Sequence, residues 1–215
     1  GEEVPKLTEE EVGYIKIENV HVNDEKAKYT DDKQILKIVM EEPLKTGKEV
    51  DVRIKYIVKI PEGFHRLHYH DGIYSLTNWH PILSVFDEKT KKWDENPYHP
   101  IGECNYSEVA DYNVKLTVPH KMVVAPTGTI IEEKENEEDK TLTIKAEKVR
   151  DFVIIMSEKY KVKTKEVDGI KISNYYLNDS KAANIVLNEV AKTVKFMNKT
   201  VGKYAYDELR IVETF

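Results

Sequence analysis

Tyr112-Asn113-Val114-Lys115-Leu116-Thr117-Val118 alternates apolar and polar side chains with a strict period of two, and Pro119 closes it. Successive side chains on a strand point to opposite sides, so Tyr112, Val114, Leu116 and Val118 share one face of a half-buried strand. Val52, Ile54, Tyr56, Val58 and Ile60 repeat the pattern and stop at Pro61-Glu62-Gly63, where a proline cannot donate to a ladder. Shorter strands are predicted over residues 14–17, 20–22, 35–40, 142–146 and 152–156. Between them stand Asn23-Asp24, Thr46-Gly47 and Thr127-Gly128, residue types that accept turn geometry. Asp168-Gly169 joins 160–167 to 170–176 as a two-residue hairpin. The acidic stretch 132–140 reads as a solvated hairpin tip, a calcium loop being the alternative although the spaced ligand pattern is missing. Up to residue 176 the chain is therefore expected to be antiparallel β.

After Tyr176 the texture changes. Asn178-Asp179-Ser180 offers N-cap oxygens, and Ala183, Val186, Val190, Val194, Met197 and Val201 follow at helical spacing. One apolar stripe on a helix over 180–201 results. Gly202 stops it, and Leu209-Arg210-Ile211-Val212 reads as a strand that runs out at Phe215. A helix feeding a strand is an unfinished unit, with only the β domain left for the stripe to pack against. The fold class is thus mainly β: an antiparallel β-sandwich or saddle-like domain over 1–176, then one helix and a short strand over 177–215.

Composition narrows the function classes. Of 215 residues, 40% are hydrophobic and 33% charged, which excludes a disordered chain. The longest apolar run, Phe152-Val153-Ile154-Ile155-Met156, falls far short of the ~20 residues a spanning helix needs, so no membrane segment is expected. A formal charge of −6 argues against nucleic acid, whose phosphates call for a surplus of Lys and Arg. A single Cys104 makes neither an internal disulfide nor a thiolate zinc cluster. The chain opens on Gly1 with no signal-peptide pattern and reads as a piece of something longer.

Several groups of residues could carry chemistry. His65, His68 and His70 crowd together, and on a strand His68 and His70 share a face. Two imidazoles plus a third group could hold zinc; the alternative is three surface histidines. No H-E-x-x-H helix and no G-x-S-x-G elbow is present. Cys104 sits beside Glu103, which raises a thiol pKa and makes a poor nucleophile. Asn105-Tyr106-Ser107, Asn178-Asp179-Ser180 and Asn198-Lys199-Thr200 match the glycosylation triplet, which is common by chance. Trp79 and Trp93 are either exposed platforms or packing residues.

The stretch Gly72-Ile73-Tyr74-Ser75-Leu76-Thr77-Asn78-Trp79-His80-Pro81-Ile82-Leu83-Ser84-Val85-Phe86-Asp87 is followed by Trp93-Asp94-Glu95-Asn96-Pro97-Tyr98. Ile101-Gly102-Glu103-Cys104-Asn105-Tyr106-Ser107-Glu108-Val109-Ala110-Asp111-Tyr112 comes next, then Val118-Pro119, Val123-Val124-Ala125, Thr127-Gly128 and Val149-Arg150-Asp151-Phe152. In order and spacing this resembles the N-terminal β domain of the aminopeptidase N-type zinc metallopeptidases, the gluzincin aminopeptidases, in a bacterial branch. Gly202-Lys203-Tyr204-Ala205-Tyr206-Asp207-Glu208-Leu209 with Val212-Glu213-Thr214-Phe215 resembles the first helix and strand of that family's catalytic domain.

The resemblance implies a fragment of an enzyme that hydrolyses N-terminal residues from peptides. It implies a β domain lacking its first strands, and then, from 177, the truncated start of a thermolysin-like catalytic domain. The family's exopeptidase loop (G-x-M-E-N or G-G-M-E-Y), its H-E-x-x-H helix and its distal Glu all come later than Phe215. No catalytic residue, metal ligand or cofactor is therefore expected in this chain, while zinc is expected in the full-length parent. The implied partners are a peptide substrate and the missing catalytic domain, in a cytoplasmic or cell-surface-associated bacterial protein. In the family the β domain supplies one wall of the cleft and a side chain that holds the substrate's free amine. That side chain falls near Asn78, with Trp79 beside it, where the family more often has Gln or Glu. The competing class is a stand-alone β-sandwich binding module for carbohydrate or a protein partner, using Trp79 and Trp93.

Overall fold

The structure, a computed structural model, describes residues 8, 12–32, 34–64, 66–96 and 106–214. From the N-terminal side come β1 (Tyr14–Val22), β2 (Glu25–Lys26), β3 (Lys28–Asp32), β4 (Ile35–Val39), β5 (Val52–Lys59), β6 (Leu67–His70), β7 (Ile73–Leu76), β8 (Phe86–Asp87) and β9 (Lys92–Trp93). Then follow β10 (Ala110–Pro119), β11 (Val123–Pro126), β12 (Thr129–Glu135), β13 (Asp139–Val149), β14 (Ile154–Ser157), β15 (Lys161–Val167), β16 (Ile170–Tyr176), α1 (Ser180–Thr200) and β17 (Glu208–Val212). The architecture is mainly β, with one helix among the described residues and a short strand after it. Residues divide into two compact units, Gly1–Pro61 with Trp79–Glu108 and Glu62–Asn78 with Val109–Phe215.

In the first unit β1 lies between β2 and β5, and β3–β4 and β8–β9 form separate hairpins. β1 is one strand where the sequence reading gave two, because a register shift between Ile17 and Asn19 interrupts its alternation without ending its pairing to β5. The predicted turn at Asn23-Asp24 has φ of 50° and 70°, the left-handed pair that Asn and Asp tolerate best among residues other than glycine. Asp51 N–H donates to Asn23 Oδ1, and Arg53 pairs with Asp24 at 2.8 Å.

The second unit holds three sheets, ordered β10-β13-β12, β11-β14-β7-β6 and β15-β16-β17. The stretch with the strict period is β10, and its alternate residues from Tyr112 to Val118 are the sheltered ones. Val114 faces Ile144 and Leu116 faces Leu142 across the ladder; Leu142 and Ile144 are fully buried. The acidic stretch is the tip and flanks of the β12–β13 hairpin, where Asn136 Oδ1 accepts from the backbone N–H of Glu138 and Asp139. Strands β3, β6, β7, β11 and β12 escaped sequence reading, and β6, β7 and β11 offer only four residues each on which to show a period. β11 also buries both faces at Val124 and Ala125, which removes the alternation.

The helix is capped by Asp179, whose side chain accepts from the N–H of Lys181 and Ala182. The predicted stripe is only partly the buried one. Leu187, Ala191 and Val194 face inward onto Ile170 and Ile172 of β16 and Ala183 is buried too, whereas Val186, Met197 and Val201 stay 39%, 44% and 75% exposed. Polar clamps set that rotation: buried Asn174 Nδ2 donates to Ala183 O at 3.0 Å, and Lys163 Nζ donates to Ser180 and Asn184. β17 pairs in parallel with β16, so α1 is the crossover that parallel pairing requires. The exit of β17 is fastened three ways. Glu213 N–H donates to Tyr175 O, Tyr160 OH donates to Glu213 O, and Leu177 N–H donates to the Glu213 carboxylate.

Candidate functional site

The second unit contains a cleft of about 950 Å³ between the Thr127-Gly128 turn, the end of β13 and the segment that carries β17. Its floor is organised by Arg210. The guanidinium donates from Nη1 to Pro126 O (3.1 Å) and Gly128 O, and from Nη2 to the Glu208 carboxylate. Both charged side chains are nearly buried, at 11% and 13% exposure, and a buried charge needs this kind of pairing to be tolerated. The turn itself depends on Gly128, whose φ is +81° and whose added Cβ would lie 2.2 Å from Lys145 O. Arg150, Asp151 and Asp207 line the cleft with Tyr204 and Tyr206, whose rings meet edge to face at 5.6 Å. Burial, with smaller help from Tyr206, pushes the Tyr204 hydroxyl above its usual range. The lining holds neither His nor Cys. Sequence reading missed it: its walls come from segments far apart in the chain, and the lone Arg210 within an apolar strand was the only signal.

Asn78 closes the segment of the second unit that follows β7, and its Oδ1 accepts from Thr77 Oγ1 at 3.2 Å. It does not line the cleft. Trp79 opens a segment of the first unit and is half-buried, its ring edge-on to His80 at 5.0 Å. Trp93 is 51% exposed and meets Phe86 edge to face at 5.2 Å.

Of the histidine group, His65 lies outside the described residues, as do Cys104, Glu103 and Asn105. His68 and His70 both fall on β6 with the same parity, opposite Ser75 and Ile73. His68 is buried at 6% exposure, not the surface residue of the simpler reading. His70 stands 4.0 Å from Glu62 and stacks obliquely on Phe64 at 4.3 Å. Among the described residues no three His, Cys, Asp or Glu side chains gather as metal ligands. Asn198, in one glycosylation triplet, is committed to Asp168 and to the N–H of Tyr204.

No family model and no curated protein matches the chain. Solved structures do. The M1 zinc metallopeptidase from Deinococcus radiodurans superposes with a TM-score of 0.64 at 17% identity, over 94% of this chain and 46% of its own. The same enzyme's mutant bound to a Tyr-Ser-Ala substrate gives 0.64 at 16% identity, over 92% and 46%. Legionella pneumophila aminopeptidase A in complex with aspartic acid gives 0.64 at 13% identity, over 92% of this chain and 23% of its own. The chain therefore has the fold of part of these metallopeptidases and spans about half the length of the Deinococcus enzyme or less.

Proposed function

We propose that this chain is the N-terminal β domain of a zinc-dependent aminopeptidase, continuing from residue 177 into the first piece of its catalytic domain. The observation that carries the reading is the asymmetry of the match. Nearly all of this chain is accounted for by metallopeptidases of which it spans half or less. The β domain forms one wall of the peptide cleft, and alone it is inactive. In this reading zinc belongs to the parent; among the described residues no three His, Cys, Asp or Glu side chains gather as ligands.

Within that reading Asn78 anchors the substrate's N-terminal ammonium through its amide oxygen, a competent acceptor for a cation, with Trp79 shaping the wall beside it. The Thr77 hydroxyl donates to that oxygen. Hydrogen bonds to charged groups contribute about 1.5–3 kcal/mol. Asn78→Ala in the full-length parent should therefore lower kcat/KM by roughly 10- to 150-fold, mostly through KM. A ratio within twofold of wild type with a lowered Tm makes the residue structural. A second reading, a stand-alone binding module for carbohydrate or a protein partner, is favoured only by the half-exposed Trp93 against Phe86. Saturable quenching of tryptophan fluorescence by a glycan would support it.

A further inference from the structure

Arg210 stands in β17 between Leu209 and Ile211, both of which pack onto the buried cluster of Ile170, Ile172 and Leu187. Alternation along a strand sends Arg210 to the other face, together with Glu208 and Val212. On that face Val212 packs against the cluster that holds Ile73 of β7 and Ala125 of β11. Arg210 itself donates to Pro126 O at 3.1 Å and to Gly128 O, with its second terminal nitrogen on the Glu208 carboxylate. An apolar contact and a charged fork thus fix this face of β17 to β11 and the turn that follows it. A buried Arg–carboxylate pair is weak evidence for stability, since apolar residues of similar volume often do as well or better. What apolar residues cannot supply is direction, because the planar guanidinium fixes several acceptors at once.

The two carbonyls belong to a turn that the ladder ties to Asn78. Pro126 pairs with Ile154 and Ile154 with Leu76, one row across β11, β14 and β7. One step further on, Thr127 and Val153 are joined twice. Thr127 N–H donates to Val153 O at 2.8 Å, and Val153 N–H donates to Thr127 Oγ1 at 3.0 Å. The same step past Leu76 is Thr77, whose hydroxyl donates to Asn78 Oδ1. The turn gripped by Arg210 and the segment carrying Asn78 therefore leave the same end of one sheet, with Ile154 fully buried between their strands. From this continuity we propose that Arg210 is a positioning residue for Asn78, holding the sheet end from which the amine anchor departs. The inference rests on the reading of Asn78 as that anchor. Every contact it uses lies within the second unit, and none requires an open surface.

The test is steady-state kinetics of the full-length parent on an aminoacyl chromogenic substrate, with Arg210→Lys as the first variant. Lysine keeps a charge beside Glu208 but, as a point donor, cannot fork across both carbonyls. KM should rise roughly 2- to 30-fold, the size of effects carried through packed networks, with kcat within twofold of wild type. Thr127→Val removes the hydroxyl that accepts from Val153 N–H. It should raise KM in the same way, and it carries the test if thermal unfolding shows that Arg210→Lys does not fold. In an Asn78→Ala background both changes should move KM by less than twofold, because the anchor they position is gone. Damage to the fold at large would persist in that background. If Arg210→Lys folds and leaves KM within twofold of wild type while Asn78→Ala raises it, the inference fails and the anchor stands. A KM rise undiminished in the Asn78→Ala background overturns it equally. Asn78→Ala without effect on KM overturns the anchor and the inference together.

Discussion

Gly128→Ala tests whether the turn at the head of the cleft is held by steric necessity, and Gly169→Ala is its matched control. The two glycines have nearly the same backbone, with φ of +81° and +78°. Placing an L side chain in the left-handed region costs roughly 1–2 kcal/mol at either site. At Gly169 the new methyl meets nothing within 4 Å, so that cost is the whole effect. At Gly128 the methyl would lie 2.2 Å from Lys145 O and 2.6 Å from Ala146 Cβ. Both are parts of the β13 ladder, not the flexible end of a long side chain. Overpacking of this kind adds about 1–3 kcal/mol, for a total of about 2–5 kcal/mol. In a domain of this size 1 kcal/mol moves Tm by about 2–4 °C. Gly169→Ala should therefore lower it by about 2–8 °C and Gly128→Ala by about 4–20 °C. Thermal unfolding followed by circular dichroism is the assay, and both sites lie in the same compact unit, so they report on the same transition. Equal shifts for the two variants would refute the argument, because they would leave nothing for the close approach to β13 to explain.

Two further outcomes follow from the clamp on β17 and the cap of α1. Burial, with a smaller contribution from Glu213, pushes the Tyr160 hydroxyl up to about 12 from 10.0, so the folded chain keeps that proton while the unfolded chain loses it. Stability is full below pH 10 and falls as pH rises towards 12; Tyr160→Phe should flatten that decline in urea titrations taken at intervals across the window. Asp179→Ala removes the acceptor for the N–H of Lys181 and Ala182 and should cost about 1 kcal/mol. Asp179→Ser should recover most of it, as read by the urea midpoint.

The elements most legible in the sequence were those in which one face is wet and the other dry. β10 shows this best, because every second residue from Tyr112 to Val118 is sheltered and the others face solvent. The Asp168-Gly169 hairpin was equally plain, both residues having the positive φ that a two-residue turn demands. Legibility failed where burial is two-sided or the element is short, as in β11, and where the third dimension chooses between faces, as in α1. The stripe through Val186 and Met197 is as regular as the one actually buried. What selects Leu187 and Ala191 instead is the hydrogen bond from Asn174 to Ala183 O and the reach of Lys163, neither of which is local in sequence. The candidate site divides the same way. Asn78 and Trp79 came from a resemblance along one continuous segment, whereas the cleft around Arg210 is assembled from three separate stretches.

The central claim is that this fold serves a zinc aminopeptidase whose chemistry lies beyond these residues. The most direct measurement is to express the 215 residues and the full-length parent side by side. Zinc is determined by elemental analysis after chelation and dialysis, and hydrolysis is followed with an aminoacyl chromogenic substrate. The account predicts one zinc per parent chain with release of N-terminal residues, and neither property in the 215 residues alone. One tightly held zinc or measurable hydrolysis in the short chain, or a parent that binds no zinc and cleaves no aminoacyl substrate, would contradict it.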